Sequence, residues 1–170
     1  GPANQILSGS PILVDTVSQY GVGSILALTA WFKAVPISYG TLGLLENILT
    51  GLFFISGYLV MRLAGVGRLL AIPGVAVAVV VLTWNLDFPV GALLQHGALR
   101  FGLPMAIVLV CLTGSRWPRM GGWSRFGVAA LFGLSSFWAL EAFAYSLVTV
   151  AALSALQVWW LDSSERRGWI

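Results

Sequence analysis

Apolar runs long enough to cross a bilayer follow one another along this chain, separated by short polar or glycine- and proline-containing breaks. A helix rises about 1.5 Å per residue, so roughly 20 apolar residues match the roughly 30 Å hydrocarbon core of a membrane. The breaks predict a first helix from about Ile12 to Lys33, closed by a turn at Pro36, Ser38 and Gly40. A second is expected from about Thr41 to Arg62 and a third from about Leu69 to Leu86. Pro73 lies near the start of the third, where its missing N–H does least harm. A fourth occupies about Phe101–Gly114. Residues 1–11 read as a polar lead-in and 162–170 as a polar tail, which leaves 12–161 as one helical domain.

The block Phe126–Leu161 is too long for a single pass, since one helix over it would measure about 54 Å. Divided near Glu141–Ser146 it yields two spans, although no glycine or proline marks the division. The basic residues arbitrate. Loops 62–68 and 115–125 together hold five of the eight arginines, which assigns both to the cytoplasmic side together with the N-terminus. Arg166 and Arg167 reach that side only if the last block crosses twice. The predicted fold is therefore an all-α, polytopic transmembrane bundle of six helices, with five as the alternative, in a bacterial-type inner (plasma) membrane.

Composition agrees. The chain is 58% hydrophobic and only 9% charged, with a mean hydropathy of +0.90, above the roughly 45–50% apolar content of soluble proteins. Twenty glycines suit close helix contact, with Gly43, Gly51, Gly57, Gly127 and Gly133 as expected packing faces. Eight tryptophans suit the membrane boundary, notably Trp117, Trp123, Trp159 and Trp160. The net charge of +3 comes from arginines at helix ends, so it reflects topology and not a nucleic-acid partner.

The exclusions are chemical. Cys111 is alone, so the chain has no internal disulfide, CxxC pair or thiolate metal site, and no iron–sulfur motif. A single histidine cannot ligate a bis-histidine haem unless a partner supplies the other ligand. Ser135-Ser136 lacks a G-x-S-x-G elbow, which argues against a serine hydrolase. No basic stretch leads into a short apolar core with a cleavage site, so no signal peptide is expected.

The informative residues are those a membrane normally excludes. An ionisable side chain at mid-bilayer costs about 2.5–3.5 kcal/mol on insertion scales. Topology assigns Glu46 and Glu141 to the outer half of the bilayer, with Asp87, His96 and Arg100 in or beside the outer loop between spans three and four. His96 and Arg100 are four apart and share a helical face. Arg100 is expected to neutralise Glu46 or Glu141, with His96 as a proton relay. These five form a predicted outward-facing polar pocket, with Tyr39, Tyr58, Trp84, Trp138 and Tyr145 as lining candidates. Competing readings are plain: Glu46 complements a helix dipole, Asp87 and His96 are solvated loop residues, and Arg100 snorkels to headgroups. Glu141 has neither a dipole nor a loop explanation in this reading.

The stretch Leu45–Ala71, with Glu46, Gly51, Gly57, Arg62, Leu63 and Ala64, resembles the second-helix region of the DoxX-like membrane proteins. Gln95–Arg100 followed by an apolar span is loosely compatible, so the resemblance covers roughly residues 40–114. It implies a four-helix core, with the helices beyond Gly114 as an extension, and a membrane component linked to redox chemistry. Two functions follow as expectations: an accessory or redox-linked subunit whose pocket takes a quinone or similar lipid-soluble molecule, or a proton- or cation-coupled carrier or channel component. A third is a ligand-free assembly subunit. The bilayer itself, other membrane subunits or further copies of the chain are the expected partners.

Overall fold

The computed structural model describes residues 2–9, 21–83 and 98–167, which form helices joined by short turns and contain no strand. Seven α-helices appear among them: α1 (Pro2–Leu7), α2 (Val22–Ala34), α3 (Tyr39–Leu63), α4 (Arg68–Thr83), α5 (Ala98–Arg116), α6 (Gly121–Trp138) and α7 (Leu140–Arg167). Two stretches are long and apolar enough to cross a membrane, Tyr39–Leu63 and Leu140–Gln157. Val22–Ala34 and Arg68–Val81 are apolar but shorter.

The heart of the molecule is the trio α5, α6 and α7, each packed on the other two. Ile107, Ser135, Ala142 and Ser146 meet in this trio with almost no exposed surface. Helix α3 leans on α5, α4 on α3, and α2 on α6. The α5–α6 hairpin closes tightly through a one-turn 3₁₀ segment, Pro118–Met120. Ser124 sits directly over Gly114, where its hydroxyl donates to the Val110 carbonyl at 2.7 Å. A side chain at 114 would displace it.

Local chemistry explains the helix ends. Ser38 and Thr41 form a reciprocal capping box at the head of α3, each side chain bonding the other's backbone N–H. The Trp31 indole donates to the Thr41 carbonyl at 3.1 Å, which ties α2 to α3 across their short linker. At the far end of α3, Arg62 Nη1 donates to the Val66 carbonyl at 2.6 Å, and Gly65 takes φ +90°. The carbonyls that the helix end leaves open, those of Val60, Met61 and Arg62, accept from the backbone N–H groups of Ala64, Val66 and Gly65 in turn.

Several expectations change. A continuous first helix from Ile12 to Lys33 is not present: Gly21, at φ +79° and ψ 161°, is non-helical, and α2 begins at Val22. The reason is tertiary. Gly21 and Gly23 lie against the backbone of Trp138 and Ala139 at the α6–α7 junction, where a β-carbon on Gly21 would collide with the Trp138 carbonyl. The expected lead-in contains the short α1, and α7 continues through residues 162–167 of the expected tail. The long apolar block does divide, at Ala139, just before the predicted zone. Ala139 is extended, with φ −164° and ψ 149°.

The glycine faces also differ from expectation. Gly43, Gly51, Gly57 and Gly133 have open space where a side chain would go, and of the five only Gly127 packs closely, against Val110. The face of α3 that carries Leu44, Ile48, Leu52, Ile55 and Leu59 is exposed, and no residue of α3 is buried. Burial and polarity are thus partly inverted. Half of the buried non-glycine residues described are hydroxyl-bearing (Ser24, Thr29, Ser135, Ser146), while large apolar side chains cover the outside.

Candidate functional site

Helix α5 begins two residues before Arg100, and α7 begins one residue before Glu141. Packing of α5 on α7 brings these first turns together. Arg100 Nη2 lies 2.6 Å from Glu141 Oε2, the one ion pair among the described residues. Its two sides differ: the Arg100 side chain is 24% exposed and that of Glu141 60%. An N⁺–H···O⁻ bond this short is a strong, charge-assisted one.

An aromatic pair stands beside it. Phe101 and Tyr145 lie with ring centroids 5.2 Å apart and planes tilted by 47°. The Arg100 guanidinium carbon lies 5.8 Å from the Phe101 centroid, near the outer limit of a cation–π contact. Glu141 and Tyr145 are four apart and share a helix face, as are Ala142 and Ser146, both buried. Phe132 and Phe143 pack at 5.2 Å across the Ala139 break and hold its apolar side.

The cluster is only partly satisfied. Arg100 Nε and Ser146 Oγ are buried and have no hydrogen-bond partner among the described residues. Pro104 adds a third opening. It lies inside α5 four residues after Arg100 and has no N–H, so it cannot bond the Arg100 carbonyl as a helix interior normally would. Buried polar groups are nearly always paired, so an unpaired guanidinium nitrogen and an unpaired hydroxyl are unusual.

Glu46 stands apart. It is the eighth residue of α3, about 10 Å beyond the helix start, and the dipole effect fades within the first turn. Its Oε1 is buried without a donor, and Arg100 is paired with Glu141 instead. Glu141 proves to have the dipole explanation that the sequence reading denied it, because the Ala139 break makes it an acidic residue in the first turn of α7.

No family model, curated protein or solved structure matches this chain. Its function is therefore argued from its own residues.

Of the ten candidates, Arg100, Glu141 and Tyr145 come together. Trp138 ends α6, three residues before Glu141, with its backbone against Gly21 and Gly23. Tyr39 is 95% exposed at the head of α3 and so lines no buried site. Tyr58 is half-buried but lies about 18 Å along α3 from Glu46. Trp84, Asp87 and His96 lie outside the described residues. Ser135, in the run that lacks a nucleophile elbow, is fully buried, and its hydroxyl donates to the Phe132 carbonyl at 2.7 Å. Sequence reasoning missed Phe101, Pro104 and Ser146. The proline was detectable, since it stands four residues after an arginine in an apolar run.

Proposed function

We propose that this chain is a multi-pass helical protein of a bacterial-type inner membrane. On this reading the Arg100–Glu141 cluster binds a quinone or similar lipid-soluble carbonyl compound for a redox-linked membrane complex. The membrane reading draws support from the apolar outside of the molecule and its small, hydroxyl-bearing inside. In water that arrangement forfeits the hydrophobic driving force, whereas in lipid only packing and polar satisfaction matter. Six passes follow if α2 to α7 all cross. The break at Ala139, which divides the last apolar block, favours six over five.

The observation that carries the ligand reading is the free Arg100 Nε, buried beside a guanidinium nitrogen already committed to Glu141. It is a charged donor without an acceptor, next to Phe101 and Tyr145, whose rings suit a flat apolar headgroup. A quinone carbonyl would accept from Nε. The resemblance of residues 40–114 to the DoxX-like proteins is the sequence ground for a redox-linked role.

The test is direct binding of a short-chain ubiquinone to the purified full chain in mild detergent. Arg100→Gln should weaken binding roughly tenfold or more, the usual effect of losing a charged hydrogen bond. Leu52→Ala, on the exposed face of α3, should leave it unchanged. If the wild-type chain neither binds the probe nor copurifies with a quinone, the reading fails.

A second reading has its own observation. The buried, donorless Oε1 of Glu46 suits a carboxyl that takes up and releases a proton or cation. A carrier of that kind would show proton-driven uptake in liposomes that Glu46→Gln abolishes.

A further inference from the structure

The turn between α5 and α6 concentrates positive charge that has no ion-pair partner among the described residues. Arg116 ends α5, Arg119 sits in the 3₁₀ turn, and Arg125 follows in the second turn of α6. All three are exposed, and none has a carboxylate partner among the described residues. The sequence from Phe88 to Leu140 contains four arginines and no acid, and the fourth, Arg100, is taken by Glu141.

The local field reinforces the excess. Helix α6 has no side-chain cap and no acid in its first turn, so its positive end adds to the charge of the same arginines. Arg125 near that end is a cation where a helix disfavours one. Trp117 and Trp123 flank the arginines, 50% and 75% exposed. The Ser124–Val110 bond pins the turn, so these groups project from a fixed scaffold.

We infer that Arg116, Arg119 and Arg125, framed by Trp117 and Trp123, form a binding site for the phosphate headgroup of an anionic phospholipid. A guanidinium group pairs with phosphate oxygens through charge-assisted, often bidentate hydrogen bonds, and three such groups at one turn favour an anion. Indole rings favour the headgroup level of a bilayer, which is where that phosphate lies. The inference rests on the membrane reading above and adds a lipid preference to it.

The full-length chain in a neutral detergent is titrated with short-chain phosphatidylglycerol, short-chain phosphatidylcholine or inorganic phosphate, and the rise in Tm is read. Each arginine near an anionic headgroup is worth about a fivefold change in affinity. Phosphatidylglycerol should therefore bind at least about fivefold more tightly than phosphatidylcholine, and inorganic phosphate should have little effect. In about 1 M NaCl the preference should collapse, since the Debye length there is only about 3 Å. The triple variant R116Q/R119Q/R125Q should lose it as well.

Equal binding of the two lipids by the wild type overturns the proposal, as does an equal response to inorganic phosphate or a preference retained by the triple variant. The wild-type comparison stands even if the triple variant fails to fold. Flotation with phosphatidylcholine vesicles separates the two levels of the argument. A chain that floats with them yet shows no lipid preference refutes the site alone, and one that does not float with them refutes the membrane reading too.

Discussion

Arg100 and Glu141 join the first turn of α5 to the first turn of α7, with Nη2 and Oε2 at 2.6 Å. The energy of this contact depends on what surrounds it. An ion pair exposed to water is worth about 0.2–1 kcal/mol, while removing one partner of a desolvated pair costs about 3–5 kcal/mol. A double-mutant cycle with Arg100→Gln and Glu141→Gln, read by unfolding in lipid-like detergent, should give a coupling energy above about 1.5 kcal/mol. A coupling below about 0.5 kcal/mol would mean that the pair is water-exposed, against the membrane reading.

Gly21 offers a test of the α6–α7 junction. It combines a positive φ with backbone contact to Trp138 and Ala139, so alanine there suffers both strain and collision. Gly21→Ala should lower stability by about 2 kcal/mol or more. Gly43→Ala, in the open helical face of α3, should instead be neutral or raise stability by up to about 1 kcal/mol through helix propensity. Thermal unfolding of the two variants side by side checks both. A loss at Gly43 would show that this face is packed against something after all.

This contrast marks where the sequence was legible. The ends of α3 were readable within two residues, because the turn at Pro36, Ser38 and Gly40 precedes a long apolar run and Arg62 closes it. The need of Glu141 or Glu46 for a counter-charge was readable too, since an arginine near an apolar span has few other uses. The Ala139 break was expected without a local cause, and its surroundings are non-local: two glycines at the head of α2 fit against it. The spacing Gly21-x-Gly23 is visible but falls inside the first helix that the sequence predicts, and nothing local sets it apart. The fate of the α3 glycines was unreadable, because small residues look alike whether a neighbour fills the space or not.

Glu46 tests whether a polar group is kept at the expense of stability. Its Oε1 is buried without a donor, and an unsatisfied buried group costs about 1–3 kcal/mol. Glu46→Met keeps a similar volume and should raise Tm, corresponding to about 1 kcal/mol or more of added stability. The same variant should lose proton-driven uptake if the carboxyl handles protons. A fall in Tm would show that Glu46 has a partner in the folded protein, and the case for a retained functional carboxyl would end there.

The orientation of the helices can be checked from outside. Helix α3 is about 37 Å long, enough to cross a roughly 30 Å hydrocarbon core, and it begins at the exposed Tyr39. Alternating passes assign Tyr39 to the outer side and the arginine-rich α5–α6 turn to the cytoplasm. In a Cys111→Ser background, Tyr39→Cys should react with a membrane-impermeant maleimide added to intact cells. Arg119→Cys should react only after the membrane is opened. Cysteine at either position is cheap to introduce, since both side chains are exposed. If both sites label from the same side, an odd number of crossings between them is ruled out. The arrangement of α3, α4 and α5 as three successive passes then falls, and so does the assignment of Arg116, Arg119 and Arg125 to the inner leaflet.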